Sequence, residues 1–197
     1  MKINYADLIQ SILRINRLFS DNWILSNSKI QELLKTSEMR IYKKGVLIVE
    51  ELDSNYLYIV VNGIISINVK DPKSYEKIMG FFFCGDILYS YNINEYLLTV
   101  SKTVILRVDM NNVNQICKNI EKFRMILKDY IISHLKSELY FMTLNTEERY
   151  VKIVTDRNHL FLMIPSKYIA SYIGVTPQAL CRIRKRLLLL TKKMNTA

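Results

Sequence analysis

The 197-residue sequence contains only 5 glycines, 3 prolines, 3 cysteines and a single tryptophan. So little glycine and proline leaves scant room for a flexible linker or a low-complexity arm. Cys84, Cys117 and Cys181 are odd in number and scattered, which argues against a disulfide framework, and no CxxC spacing points to zinc or an iron–sulfur cluster. Free thiols in a reducing compartment are the simple reading. No window reaches 18 consecutive apolar residues, so no membrane-spanning helix is predicted. The first residues, Met1 to Asp7, lack a charged start leading into an apolar stretch. No signal peptide is therefore expected, and the expected location is cytoplasmic. P-loop, Rossmann glycine fingerprint, zinc-protease motif and nucleophile elbow are all missing; no catalytic residue, metal site or cofactor is predicted.

What is present is a globular balance, 50% hydrophobic and 23% charged, with a formal net charge of +10. That charge is unevenly placed. Residues 150–197 hold nine cations (Lys152, Arg157, Lys167, Arg182, Arg184, Lys185, Arg186, Lys192, Lys193) against the single acid Asp156, a net +8 that leaves +2 for the other three quarters. A basic end of this kind seeks a polyanion, either nucleic acid or an acidic membrane surface.

Residues 7–19 place Leu8, Ile12, Ile15 and Phe19 at helical spacing, and residues 28–34 read as a second short helix. Short β-type runs follow at 39–42, 46–49, 56–61, 64–69, 75–83 and 104–108, divided by turn residues such as Gly45, Asn62-Gly63 and Gly85-Asp86. This texture predicts an antiparallel sandwich or barrel, with Asn62-Gly63 as its best hairpin signal. Residues 111–144 contain neither Gly nor Pro and predict one long helix. Ile116, Ile120, Phe123, Leu127, Tyr130 and His134 recur along it at alternating spacings of four and three, the pattern of an intermolecular coiled-coil seam. His134 reads there as a packed or register-setting polar residue. A second stripe, Ile131, Leu135, Leu139 and Met142, is expected to pack on the chain's own domain. Asn145 with Glu148 then has the form of a helix-start capping pair.

Residues 165–187 carry the most information. Pro165 stops what precedes it, and the Ser166 hydroxyl is expected to cap a short helix with Ile169, Ala170 and Ile173 on its apolar face. Gly174 suits a left-handed turn, and Thr176-Pro177 suits a second helix start. Leu180, Ile183 and Leu187 continue the buried face, leaving Gln178, Cys181, Arg182, Lys185 and Arg186 on the others. Two short helices around a tight glycine turn, the second one cationic, describe a helix-turn-helix. An ordinary helical hairpin with a solvated basic surface is the alternative.

The runs NTEERYVKIV (145–154) and IPSKYIASYIGVTPQALCRIRKRL (164–187) resemble the DNA-binding end of the cyclic-AMP receptor and fumarate–nitrate regulator (Crp/Fnr) family. KKGVLIVEELDSNYLYIVVNGIISI (43–67) and Phe81-Phe82-Phe83-Cys84-Gly85-Asp86 are similar to its sensor domain, less strongly. The resemblance implies an α+β architecture. An N-terminal antiparallel β-barrel of the cupin or jelly-roll-like, cyclic-nucleotide-binding type would span residues 1–110, with a long dimerisation helix over 111–144. A C-terminal helix-turn-helix of winged-helix type would take 145–197. It implies a homodimeric transcription regulator on a roughly palindromic duplex operator, with RNA polymerase as a further partner. Matching positions place Arg182 on guanine and Gln178, where the family has glutamate, on adenine. Thr176, Lys167 and Lys185 fall on phosphates. Ser166, Pro177, Cys181 and Arg186 complete the expected DNA-binding set.

The chain also departs from the family. Cyclic-AMP binders follow their Gly-Glu pair with an arginine for the cyclic phosphate, whereas here no arginine follows Gly85-Asp86 before Arg107. A buried phosphate would lack its compensating charge, so cyclic AMP is not the expected effector. The N-terminal cysteine cluster of oxygen-sensing members is missing, and His134 and His159 have no ligand partner at useful spacing. Cys181, beside Arg182 and Lys185, reads as a small residue on the DNA face, with oxidant sensing the minor reading. An effector-binding or anionic-membrane-surface protein using residues 182–193 is the competing function, but it leaves the capped glycine turn unexplained.

Overall fold

The computed structural model describes residues 27–48, 53, 55–70, 76–89, 95–117 and 119–194. The helix expected over residues 7–19 lies outside them. The second expected helix is α1 (Asn27–Lys35). Seven strands follow: β1 (Glu38–Tyr42), β2 (Tyr56–Asn62), β3 (Ile65–Lys70), β4 (Glu76–Phe82), β5 (Ile87–Leu88), β6 (Glu95–Thr99) and β7 (Thr103–Asp109). Five helices complete the described residues: α2 (Met110–Ile116), α3 (Ile120–Thr143), α4 (Thr146–Phe161), α5 (Ser166–Ile173) and α6 (Pro177–Met194).

The strands form two antiparallel sheets, ordered β1-β7-β2-β5 and β4-β3-β6. The expected closed barrel is thus an open pair of sheets. Alternating side chains explain the layering. Tyr58, Val60 and Ile105 point between the sheets onto Ile65, Ile67, Phe82 and Leu97. Their neighbours Ile59, Val61, Val104, Leu106 and Val108 point outward and are covered by Leu33, Val113, Cys117 and Phe123 of the helical segments. Strands β2 and β7, buried on both faces, therefore read as continuous apolar runs. On the other sheet Phe81 turns outward beside Phe82 and joins a core with Phe141, Phe161, Ile169 and Ile173.

Two sequence expectations fail here. The described part of the run expected at 46–49, residues 46–48, contributes a bridge between Leu47 and Leu98 and not a strand. Asn62-Gly63 does not close a hairpin: β2 pairs with β5 and β7, while β3 pairs with β4 and β6. The dipeptide instead passes the chain from one sheet to the other. Gly63 has φ +99°, and a Cβ there would sit 2.6 Å from the Lys102 carbonyl oxygen, so close backbone approach demands glycine as much as the turn does.

The long helix expected over 111–144 is two helices. Asp109 caps α2 by accepting from Asn111 N at 2.7 Å. Cys117 is extended and buried, and the Asn119 side chain restarts the chain as α3 by accepting from Lys122 N at 3.0 Å. Asparagine competes with the helical backbone in this way without any Gly or Pro to announce it.

The expected intermolecular seam faces inward. Phe123 is buried, and Ile116, Ile120, Leu127 and Tyr130 pack on the outer face of the β1-β7-β2-β5 sheet. His134 hydrogen-bonds the Tyr89 hydroxyl and stacks on Phe82 at 5.8 Å. Of the stripe expected to pack inside, Leu139 and Met142 are exposed, at 63% and 39%. Heptad spacing marks a face that must be covered; it does not say by what.

Candidate nucleic-acid interface

Helix α4 opens with a reciprocal capping box. Asn145 Oδ1 accepts from the backbone N–H of Glu147 and of Glu148, both at 3.0 Å, and Glu148 Oε2 accepts from Asn145 N at 2.8 Å. Glu147, left free by the cap, pairs with Arg186 of α6.

Helix α5 begins after Pro165, and Ser166 is its first residue rather than its cap. The Ser166 hydroxyl instead accepts from Arg184 Nη1 at 3.0 Å, tying α6 to the start of α5. At the other end Gly174 takes the left-handed conformation, φ 82° and ψ 33°. Val175 N then reaches the Ala170 carbonyl at 2.9 Å and Gly174 N the Ser171 carbonyl at 3.1 Å, satisfying the helix end. Thr176 Oγ1 accepts from Ala179 N at 3.2 Å, which starts α6 with Pro177 at its first position.

Ile169, Ala170, Ile173, Leu180 and Ile183 are buried between and beneath the two helices. Gln178, Cys181, Arg182 and Lys185 are exposed at spacings of three, one and three, which is one face of α6. Thr176 and Pro177 are exposed at its N-terminus, and Lys167 on α5 is exposed with its Nζ 5.0 Å from the Tyr168 ring centre. Arg186 is exposed too, but its Glu147 partner holds it against α4. The expected set is thus split: one group presents an open cationic face, while Ser166 and Arg186 are engaged within the helical framework. Among the described residues no strand follows Asp109, so the wing expected of a winged helix is not seen there.

Arg149, within the NTEERYVKIV run, joins this framework with no role predicted from sequence. The Arg149 guanidinium donates to three carbonyls: Met142 at 2.7 Å, Leu144 at 2.9 Å and Ile173 at 3.3 Å.

Arg107, set aside from the sequence as a phosphate anchor, is engaged elsewhere. It pairs with Glu38 at 2.9 Å, and its Cζ lies 3.4 Å from the centre of the Tyr56 ring. Hydrogen bonds from Arg40 and then Arg107 hold the Glu38 carboxyl below its ordinary pKa. Among the described residues no three His, Cys, Asp or Glu side chains cluster as a metal site, and no helix is long and apolar enough to cross a membrane.

No protein-family model matches the chain, and no curated protein sequence does. Solved structures do match by shape. FixK2 from Bradyrhizobium japonicum superposes with a TM-score of 0.65 at 18% identity, over 79% of this chain and 86% of that one. A CooA mutant from Carboxydothermus hydrogenoformans gives 0.63 at 16% identity, over 81% and 79%. A cyclic nucleotide-binding domain containing protein from Listeria monocytogenes EGD-e gives 0.63 at 14% identity, over 81% and 90%.

Proposed function

We propose that this chain, which has the fold of Crp/Fnr regulators, is a homodimeric, sequence-specific DNA-binding transcription regulator. The observation that carries the reading is the α6 face of Gln178, Cys181, Arg182 and Lys185, held outward behind the left-handed Gly174 turn. In this reading α5 and α6 are a helix-turn-helix and α6 enters the major groove. Arg182 suits a bidentate contact to guanine and Gln178 one to adenine. Lys167, Thr176 and Lys185 hold phosphates. The engagement of Ser166 with Arg184 and of Arg186 with Glu147 favours framework roles for those two.

The second copy docks on the outward stripe of α3. Met125, Ile132 and Leu139 recur every seven residues, with Leu135 and Met142 three residues after the last two. Met125, Leu139 and Met142 are exposed, and Ile132 and Leu135 half-buried, in the single chain. Residues 1–110 then serve as sensor, 111–144 as the dimer-forming segment and 145–197 as the DNA-binding end. The working site is the cytoplasm, and RNA polymerase is the further partner of such a regulator. The commitment of Arg107 to Glu38 and Tyr56 supports an effector other than cyclic AMP.

Selection of duplexes from a random pool tests the reading. Retained sequences should share a palindrome with half-sites about 34 Å apart. Affinity should fall by roughly 10³–10⁵ between 50 and 200 mM salt for roughly 6–10 phosphate contacts. Retention on anionic vesicles with no duplex held at low ionic strength would refute it.

A further inference from the structure

The three carbonyls that Arg149 holds belong to two different helix ends. Met142 and Leu144 close α3, where the last carbonyls lack intrahelical donors. Ile173 closes α5, immediately before the Gly174 turn that launches α6. A cation is favoured at each C-terminus by the helix dipole, and a planar five-donor fork can serve both at once. The guanidinium stands beside the turn: a Cβ on Gly174 would lie in ordinary contact with Arg149 Nη1, at 3.5 Å. Two further contacts close the same joint. Tyr172 on α5 donates its hydroxyl to Glu138 on α3 at 3.0 Å, and the Arg149 guanidinium stands 5.8 Å from the Phe141 ring centre.

We infer that Arg149 is a positioning residue for DNA reading, fixing the angle between α3 and the α5–α6 pair. Its guanidinium touches no part of the exposed α6 face, so it acts through the Ile173 carbonyl and the turn. Because two copies would meet along α3, that angle sets the separation of the two reading helices, and so the half-site spacing. The inference rests on the dimeric DNA-binding reading above.

The test uses the full chain and duplexes selected by the wild type, rebuilt with one or two base pairs added to or removed from the centre. Wild type should favour one spacing by about tenfold or more. Arg149→Gln should bind isolated half-sites and unrelated duplex as wild type does, with an unchanged salt slope, yet lose most of that spacing preference. Arg149→Lys, which restores a point charge able to serve one helix end, should recover part of it. If Arg149→Gln does not fold, as judged by near-UV circular dichroism, the Lys variant carries the comparison. A wild type that retains no duplex sinks the DNA-binding reading. A wild type that binds while its Arg149 variants keep the full spacing profile sinks the positioning role alone.

Discussion

The rings of Phe141 and Tyr172 lie parallel, 9° apart in plane, with centres separated by 4.4 Å. One ring belongs to the last turns of α3 and the other to α5, and Phe81 of β4 meets Tyr172 edge-on at 5.3 Å. The hydroxyl of Ser171, the preceding residue on α5, accepts from the backbone N–H of Ile78 on β4 at 3.2 Å. The helices that present the cationic face therefore share one aromatic core with the β-sheet and the long helix. Any displacement of the α5–α6 pair relative to the sheet must open this core.

Phe141→Ala should accordingly destabilise the whole chain by about 3–5 kcal/mol, the usual result of emptying a buried aromatic site. Tyr172→Phe keeps the stack and loses the Glu138 hydrogen bond, so about 1 kcal/mol is expected. Urea unfolding followed by circular dichroism should show a single shifted transition for Phe141→Ala. Selective loss of the C-terminal helices alone would contradict a shared core.

The two faces of α3 make opposite predictions. Leu139→Glu, on the exposed stripe, should yield a folded monomer in sedimentation, with little change in single-chain stability. Phe123→Ala, on the inward stripe, should cost about 3–5 kcal/mol of stability and leave the association face intact. The reverse outcome would return the intermolecular seam to the inward stripe.

On selected duplexes, Arg182→Ala should lose about 1–3 kcal/mol and relax discrimination at one base pair. Lys185→Ala should weaken all sequences alike and reduce the salt slope by about one. Equal losses on every sequence for Arg182→Ala would remove it from base reading.

Gly63→Ala meets two obstacles, a positive φ and a Cβ 2.6 Å from both the Lys102 carbonyl oxygen and Thr103 Oγ1. Since one neighbour is backbone of the turn before β7 and the other is buried Thr103 at the start of that strand, neither can yield cheaply. The loss should exceed about 1 kcal/mol, seen as a lowered urea midpoint. Gly45→Ala shares the positive φ but meets nothing within 4 Å and should cost less.

Burial raises the pKa of the Cys117 thiol, partly countered by the charge of Lys29. The folded chain therefore keeps this proton at a pH where the unfolded chain releases it. The contribution is complete below the ordinary thiol range near about 8.5 and declines as pH rises through the raised value. Wild type should lose stability between neutral and alkaline pH more steeply than Cys117→Ala, measured by urea unfolding across that window. Parallel curves would show that this thiol does not titrate in that way.

Local chemistry was readable wherever a short stretch of chain suffices. The Asn145–Glu148 box, the Gly174 turn and the Thr176 cap depend on residues within a few positions of one another, so sequence alone located them. Strands β2, β3, β4 and β7 were legible from β-branched and aromatic runs. The two-residue strand β5 is too short to show a period, and β6, with Glu95 at its head, carries no clear alternation.

The sequence by itself settled strands β1, β2, β3, β4 and β7, the paired helices α5 and α6, where the glycine turn falls and which α6 side chains are polar, because these follow from backbone preference and periodicity. Tertiary structure alone decided partnership. It sent the chain across sheets at Gly63 and turned Phe123 rather than Leu139 inward. It also brought Arg149 to carbonyls on both sides of the turn. The reason is physical: an apolar stripe or a guanidinium requires a cover or an acceptor, and which one it meets depends on chain folded from far away.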